Sequence, residues 1–296
     1  MKRLRNGLYV PIITPFKEGG ELDQSGLRRN IDWYLELGVK GIICTGSTGA
    51  FDALTDDEMK TVFKITIEQA SGKATVLAGT GATTTQKCIE LSKFAESIGV
   101  EGLMIVPPYY CTPTPEELYH HYEAVAQSIG IPIMVYNNPR RAGVDLSPEW
   151  LAKLGKEVEK ARYVKESSGD CRRVSEIISL AGNSMEVFIG NDDLSLMGLL
   201  AGAIGWVGTA ANIIPEQALN LVQAVDKGDV RGARELFYRL LPLFELIKRS
   251  GKFVSVCQAG LDMRGHVGGT LRRPRLPLAR EEENQLRLFL KDLGIL

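Results

Sequence analysis

The segment ARYVKESSGD, residues 161–170, places Lys165 at the end of a short apolar run and follows it at once with Glu166, Ser167, Ser168 and Gly169. A lysine at the exit of a buried strand has two readings. Its stem can carry the ammonium out to solvent, or into a structural pair with Glu166 or Asp170. Alternatively, an apolar setting disfavours the ammonium relative to the free amine, which makes a nucleophile towards carbonyl carbon whose product is a Schiff base. Tyr136 closes the preceding apolar run, IPIMVY (131–136), one strand–helix unit before Lys165. The interior strand context and that neighbouring tyrosine favour the nucleophile.

The two side chains can meet only if the elements that carry them lie side by side. Short runs rich in β-branched residues recur at LYVPII (8–13), GIIC (41–44), ATVLAG (74–79), GLMIV (102–106), IPIMVY, ARYVK (161–165), MEVFIG (185–190) and IGWVG (204–208). Stretches of helical periodicity separate them, such as TDDEMKTVFKITIEQA, where Thr55 and Glu58 have the spacing of a capping box. Continuous apolar strands alternating with helices imply a parallel sheet covered by helices. Eight strands in roughly 210 residues predict a closed (β/α)₈ barrel over residues 1–225, followed by a C-terminal helical appendage over 226–296. The appendage contains VRGARELFYRLLPLFELIKR and REEENQLRLFLKDL, and the loop GHVGGTLRRPRLPLA precedes the last helix. A barrel carries its chemistry at the C-terminal ends of its strands. There stand TGSTGAF, GTGATT, PPYYCTP, YNNPRRAG, KESSGD and GNDD. Strand alternation then sends Lys165 inward and Glu166 outward.

Composition narrows the alternatives. The 296 residues are 44% hydrophobic and 24% charged with a formal net charge of −1, which gives no electrostatic basis for nucleic acid or an anionic membrane as partner. The opening MKRLRNGLYVPIITPF turns from basic to apolar but is broken by two prolines, too short a run for a signal or a membrane span, so a cytoplasmic protein is expected. The five cysteines are scattered and never spaced C-x-x-C, which speaks against a disulfide framework or a zinc site. GTGATT falls short of a dinucleotide fingerprint, and no P-loop occurs. His120, His121 and His266 do not sit at strand ends with carboxylates, so neither metal nor other cofactor is expected.

Taken in order, GSTGAF, PPYY, YNNPRRAG and VKESSGD resemble the motifs of the dihydrodipicolinate synthase and N-acetylneuraminate lyase superfamily, the class I Schiff-base pyruvate aldolases. The resemblance spans nearly the whole chain. It implies a lyase that binds pyruvate or another 2-oxo acid covalently on Lys165, with Tyr136 as the proton-shuttling phenol. Ser47 and Thr48 resemble the loop that receives the 2-oxo acid carboxylate, a turn whose donors suit an anion. Tyr110 resembles the tyrosine that crosses a subunit interface to complete the relay, which implies a homo-oligomer, dimer or tetramer. Arg141 resembles the arginine that grips the carboxylate of the second substrate, and Gly190 and Val207 resemble backbone positions lining the pyruvate pocket. Arg140 is expected to face solvent.

Retained Arg141 favours condensation of pyruvate with aspartate semialdehyde. Ala50, Cys111 and Ala142 depart from the pattern of enzymes with that activity and leave a 2-keto-3-deoxy acid aldolase or dehydratase, or a related deaminase, as the runner-up. A catalytically idle 2-oxo acid binder is the reading from a different class. Lysine-inhibited members of the family hold the inhibitor with histidine, asparagine, glutamate and the first tyrosine of the pair, here Tyr109. The matching positions here are Asp56, Met59, Thr83 and Lys87, which implies insensitivity to lysine.

Overall fold

The structure, a computed structural model, describes residues 3–296; Met1 and Lys2, where the basic N-terminal run and the expected barrel segment begin, lie outside the described residues. Eight strands pair in parallel and in chain order: β1 (Gly7–Pro11), β2 (Gly41–Cys44), β3 (Thr75–Gly79), β4 (Gly102–Ile105), β5 (Ile133–Asn137), β6 (Tyr163–Glu166), β7 (Glu186–Ile189) and β8 (Gly205–Val207). The last returns to the first, with Gly7 opposite Gly205, Leu8 opposite Trp206 and Tyr9 opposite Val207, so the barrel is closed. Each strand overlaps one of the apolar runs; β1 starts one residue before its run, at Gly7, and β5 and β6 extend one residue past Tyr136 and Lys165.

The continuous apolar character of the strands follows from burial on both faces. Along β1, Leu8 and Val10 join the core between sheet and helices while Tyr9 joins the core inside the barrel. The same alternation sends Ile43, Leu77, Met104, Met134, Tyr163, Phe188 and Val207 inward and Ile42, Val76, Leu103, Val135, Val164, Val187 and Trp206 outward. Large inward rings need small neighbours. A Cβ on Gly41 would lie 2.1 Å from the Tyr9 ring, and one on Gly205 would lie 2.6 Å from that of Phe188.

Outside the strands lie α1 (Gln24–Glu36), α2 (Asp56–Ala70), α3 (Thr85–Ser97), α4 (Pro115–Ser128), the single turn α5 (Pro139–Ala142), α6 (Pro148–Glu157), α7 (Arg172–Ala181), α8 (Ser195–Leu200) and α9 (Pro215–Asp226). The Thr55 hydroxyl accepts from the Glu58 N–H while the Thr55 N–H donates to the Glu58 carboxylate at 2.9 Å, the reciprocal capping expected from their spacing. Thr114 and Glu117 repeat it at the start of α4, with Pro115 in the first turn, where its missing N–H costs nothing.

Three helices follow the barrel: α10 (Val230–Ser250), α11 (Phe253–Met263) and α12 (Arg280–Asp292). The middle one escapes a periodicity reading because FVSVCQAGLDM has little polar face; Val254, Val256, Cys257 and Leu261 are all buried. Phe244 of α10 meets Trp206 edge-on at 5.8 Å, and Leu286 and Leu290 of α12 join the same core as the barrel's outer face. Among the described residues no helix is long and apolar enough to cross a membrane.

Candidate active site

Tyr136 and Lys165 are direct partners in the β5–β6 register, and both point inward at the C-terminal mouth of the barrel. Lys165 is 5% exposed and Tyr136 6%, and the Lys165 Nζ stands 4.2 Å from the centre of the Tyr136 ring. Among the described residues no carboxylate pairs with this ammonium. Glu166 turns to the opposite face, and Asp170 is held by Arg172 at 2.6 Å. The Asn138 amide donates to the Tyr136 hydroxyl at 2.9 Å. Burial alone pushes the Tyr136 phenol up. Lys165, Asn138, Arg141 and Ser47 together outweigh burial and bring it below its ordinary value.

Behind this pair, one residue further along each strand, Asn137 and Glu166 are also register partners. The Asn137 amide donates to Glu166 Oε2 at 2.9 Å, and the Ser168 N–H donates to Oε1 at 2.6 Å. Asn137 Oδ1 accepts from the Leu146 N–H at 3.1 Å, and Asp145 beside it is gripped by Arg173. Both residues are essentially inaccessible, and burial raises the Glu166 carboxyl above the usual carboxylate range.

The loop after β2 brings Ser47 and Thr48 to the same mouth. Two non-glycine residues in the left-handed region, Thr45 at φ 51° and Ala50 at φ 52°, bracket it. Thr45 is anchored across to β3, its hydroxyl 2.8 Å from the Gly79 carbonyl. A cavity of about 240 Å³ opens here, lined by Ser47, Thr48, Tyr136, Arg141, Lys165 and Gly190 among others. Gly190 is required by space: a Cβ there would lie 1.9 Å from Ser167 Oγ and 2.8 Å from Lys165 Cε.

Six of the eight residues singled out in the sequence therefore share one cavity. Val207 lies deeper, fully buried among Tyr9 and Phe188, and Thr209 holds the cavity wall in its place. Tyr110 is 97% exposed and lines no part of its own chain's cavity; its backbone sits at φ 75°, while Tyr109 packs edge-on against Phe51. Arg140 is exposed, as expected, yet contributes to the cavity rim.

Several wall residues were not singled out in the sequence. Asp192 is buried and accepts from Trp206 Nε1 at 3.2 Å and the Ala210 N–H at 3.1 Å; burial pushes its carboxyl up to about 7. Asp193 pairs with Lys248 of α10. The guanidinium of Arg141 stacks over Phe253 at 4.6 Å, so the first residue of α11 forms the floor beneath it. The GNDD motif at the end of β7 was the available pointer to Asp192. Nothing local marks Phe253, which reaches the mouth only through the packing of the C-terminal helices.

A closed (β/α)₈ barrel with a buried lysine and a tyrosine paired at the ends of neighbouring strands defines an enzyme of the class I, Schiff-base lyase type. The chain belongs to the dihydrodipicolinate synthetase family, whose model matches residues 4–293. It is 37% identical over 290 residues to the 4-hydroxy-tetrahydrodipicolinate synthase of Methanocaldococcus jannaschii, covering 98% of this chain and 99% of that one. Among solved structures it superposes on the dihydrodipicolinate synthase of Thermotoga maritima with a TM-score of 0.95 at 32% identity, over 99% of this chain and 100% of the other. A dihydrodipicolinate synthase from Acinetobacter baumannii, described as chloride inhibited and complexed with pyruvate, matches with a TM-score of 0.93 at 32% identity, over 99% and 100% of the two chains.

Proposed function

We propose that this chain is a 4-hydroxy-tetrahydrodipicolinate synthase that condenses pyruvate with aspartate semialdehyde on Lys165. The observation that carries the reading is the Lys165–Tyr136 pair, in register and 4.2 Å from nitrogen to ring centre, inside a cavity that also holds Ser47, Thr48 and Arg141. Full-length similarity to relatives bearing that name supports the choice of reaction, as does the pyruvate complex of one structural neighbour.

Lys165 Nζ attacks C2 of pyruvate, whose carboxylate rests on the Ser47–Thr48 loop. Tyr136 passes a proton to the carbinolamine oxygen, which leaves as water and gives the imine. The C3 proton passes to the Tyr136 phenolate, restoring the phenol and leaving the enamine, whose C3 attacks the aldehyde carbon of the second substrate while Arg141 holds that substrate's carboxylate. Tyr136 returns a proton to the aldehyde oxygen, the future 4-hydroxyl. The second substrate's own amine then attacks C2, closes the ring and releases Lys165. A phenol below its ordinary value suits a group that must both give and accept protons near neutrality.

Tyr110 acts, in this reading, in the cavity of a neighbouring copy, so the working form is a cytoplasmic dimer or tetramer. Its near-complete exposure supports this, as does a left-handed backbone that costs a non-glycine residue about 1 kcal/mol or more. Residues 226–296 are an appendage to the barrel rather than a separate functional unit, since Phe244 and Phe253 line the barrel's own cavity.

Incubation with pyruvate and borohydride followed by peptide mapping tests the chemistry. The expected result is one reduced adduct on the Lys165 peptide, with aspartate semialdehyde then consumed in steady-state assay. No adduct would overturn the Schiff base. An adduct with turnover only on keto-deoxy sugar acids would replace the second substrate.

A further inference from the structure

The segment GTLRRPRL, residues 269–276, takes no part in the chemistry above, yet it is tied down at both ends. The Thr270 N–H donates to the Phe16 carbonyl at 2.8 Å, and Ser255 of α11 donates to the Leu276 carbonyl at 2.8 Å. Of its three arginines, two face the loop that carries Ser47 and Thr48. Arg272 donates to the Gly20 carbonyl at 2.8 and 3.0 Å, to the Ala53 carbonyl at 2.7 Å and to both oxygens of Glu58, and its guanidinium lies over Phe16 at 4.0 Å. Arg275 grips both oxygens of Asp52, at 2.7 and 2.8 Å.

These contacts reach the Ser47–Thr48 turn through its own hydrogen bonds. The Ala53 N–H donates to the Ala50 carbonyl at 2.8 Å, and the Ala50 N–H to that of Ser47 at 3.2 Å. With Thr45 and Ala50 both in the left-handed region, the turn needs outside support to hold its shape. The second contact concerns charge. Asp52 and Arg275 both act on the Arg141 guanidinium, with opposite signs. A free Asp52 would attract Arg141 and compete with a substrate carboxylate; Arg275, whose one terminal nitrogen bonds both Asp52 oxygens, offsets that charge.

We propose that residues 269–276 form a positioning strap, in which Arg272 fixes the carboxylate loop and Arg275 occupies Asp52 so that Arg141 stays open to the second substrate. This rests on the reading above that Ser47 and Thr48 receive pyruvate and Arg141 receives aspartate semialdehyde. The two arginines therefore act on different substrates. Arg272→Ala raises KM for pyruvate about tenfold with kcat changed far less, and Arg272→Lys, a point charge that cannot span three acceptors, recovers only part. Arg275→Ala raises KM for aspartate semialdehyde and leaves that for pyruvate unchanged.

The decisive variant is Arg275→Ala with Asp52→Asn. If Arg275 acts by occupying a competing carboxylate, removing that charge restores the KM for aspartate semialdehyde. If it merely braces the loop, the double variant stays impaired, and the proposal for Arg275 falls. Hydrogen exchange over residues 46–53 reports on Arg272 without any turnover. Faster exchange in Arg272→Ala is expected, and unchanged exchange overturns the strap. Wild-type protein that forms no pyruvate adduct would instead overturn the reading on which the substrate assignments rest, leaving the exchange result to decide the strap alone. Should Arg272→Ala fail to fold, Arg272→Lys carries the same comparison.

Discussion

At the ends of β5 and β6 two pairs of residues stand one position apart and face opposite ways. Tyr136 and Lys165 look into the barrel, and Asn137 and Glu166 look out towards the helices. The outward pair has committed its polar atoms to structure. Asn137 bonds Glu166 and both backbone groups of Leu146, and Glu166 also accepts from Ser168. The inward pair is tied down less: Asn138 donates to the Tyr136 hydroxyl and Ser47 also bonds that phenol, while among the described residues no carboxylate forms an ion pair with its lysine, Asp192 acting on it only from a longer range. The difference teaches how a strand builds a reactive group: the satisfied back side fixes the backbone, and the front side leaves the nitrogen available.

The strongest way to break this comparison is to remove the amine. Lys165→Ala abolishes both turnover and the borohydride-trapped adduct while leaving the fold intact, as circular dichroism would show. Residual activity would mean that the inward pair is not the reactive one. Next in size is Tyr136→Phe, which keeps the ring under Lys165 but removes the proton shuttle. The expected fall in kcat is ~10²–10⁴-fold, with KM for pyruvate little changed. Because its surroundings hold the phenol below its ordinary value, the wild-type alkaline limb should set in below roughly pH 10, and a kcat/KM profile checks it. An unaltered kcat would remove Tyr136 from the mechanism.

The outward pair predicts a smaller effect of a different kind. Glu166→Ala removes the shortest acceptor of the Asn137 amide and leaves the Ser168 N–H without its carboxylate at a buried strand end, at about 1–3 kcal/mol of stability, read in urea unfolding. Activity falls too, but secondarily, as the two strand ends lose their mutual reference. Burial raises Glu166, so the folded chain holds this proton more tightly than the unfolded one. The associated stability is complete below the unfolded value of roughly 4.3 and is lost as pH rises through the folded value. The stability of wild type relative to Glu166→Gln should therefore decline as pH increases from acid towards neutral. A difference independent of pH would mean that Glu166 does not titrate in that range.

The inward series was legible in the sequence because strand alternation is strict: once YVKE is a strand, Lys165 and Glu166 must part, and the run lengths fix which face is which. The Ser47–Thr48 turn and Arg141 were legible through motifs at strand ends. Phe253, Asp52 and the strap arginines were not, because their roles depend on where α11 and residues 269–276 land, which no local periodicity records. Val207, read as lining the pocket through its backbone, packs its inward side chain against Tyr9 and Phe188. Asn137 escaped notice for a physical reason as well. Its side chain's four hydrogen bonds go to partners 8, 9 and 29 residues away, a spacing that leaves no pattern in the chain.

The contrast between committed and available charges extends to α2 and α3, where the smallest effect is expected. Lys87, in the first turn of α3, forms an ion pair with Asp56, the first residue of α2. Both side chains are partly exposed, so the pair adds at most about 1 kcal/mol to stability. Its consequence is electrostatic. A free lysine approaching this face brings an ammonium towards Lys87, and the Asp56 carboxylate beside it is already matched by that same residue. The catalytic rate should therefore stay flat as lysine is raised through the millimolar range, and calorimetry should register no binding. Dose-dependent inhibition, with lysine bound away from the catalytic cavity, would show that the Asp56–Lys87 pair opens at a cost small enough for a ligand to offset. Charges paired on the surface would then have to be counted among the available ones.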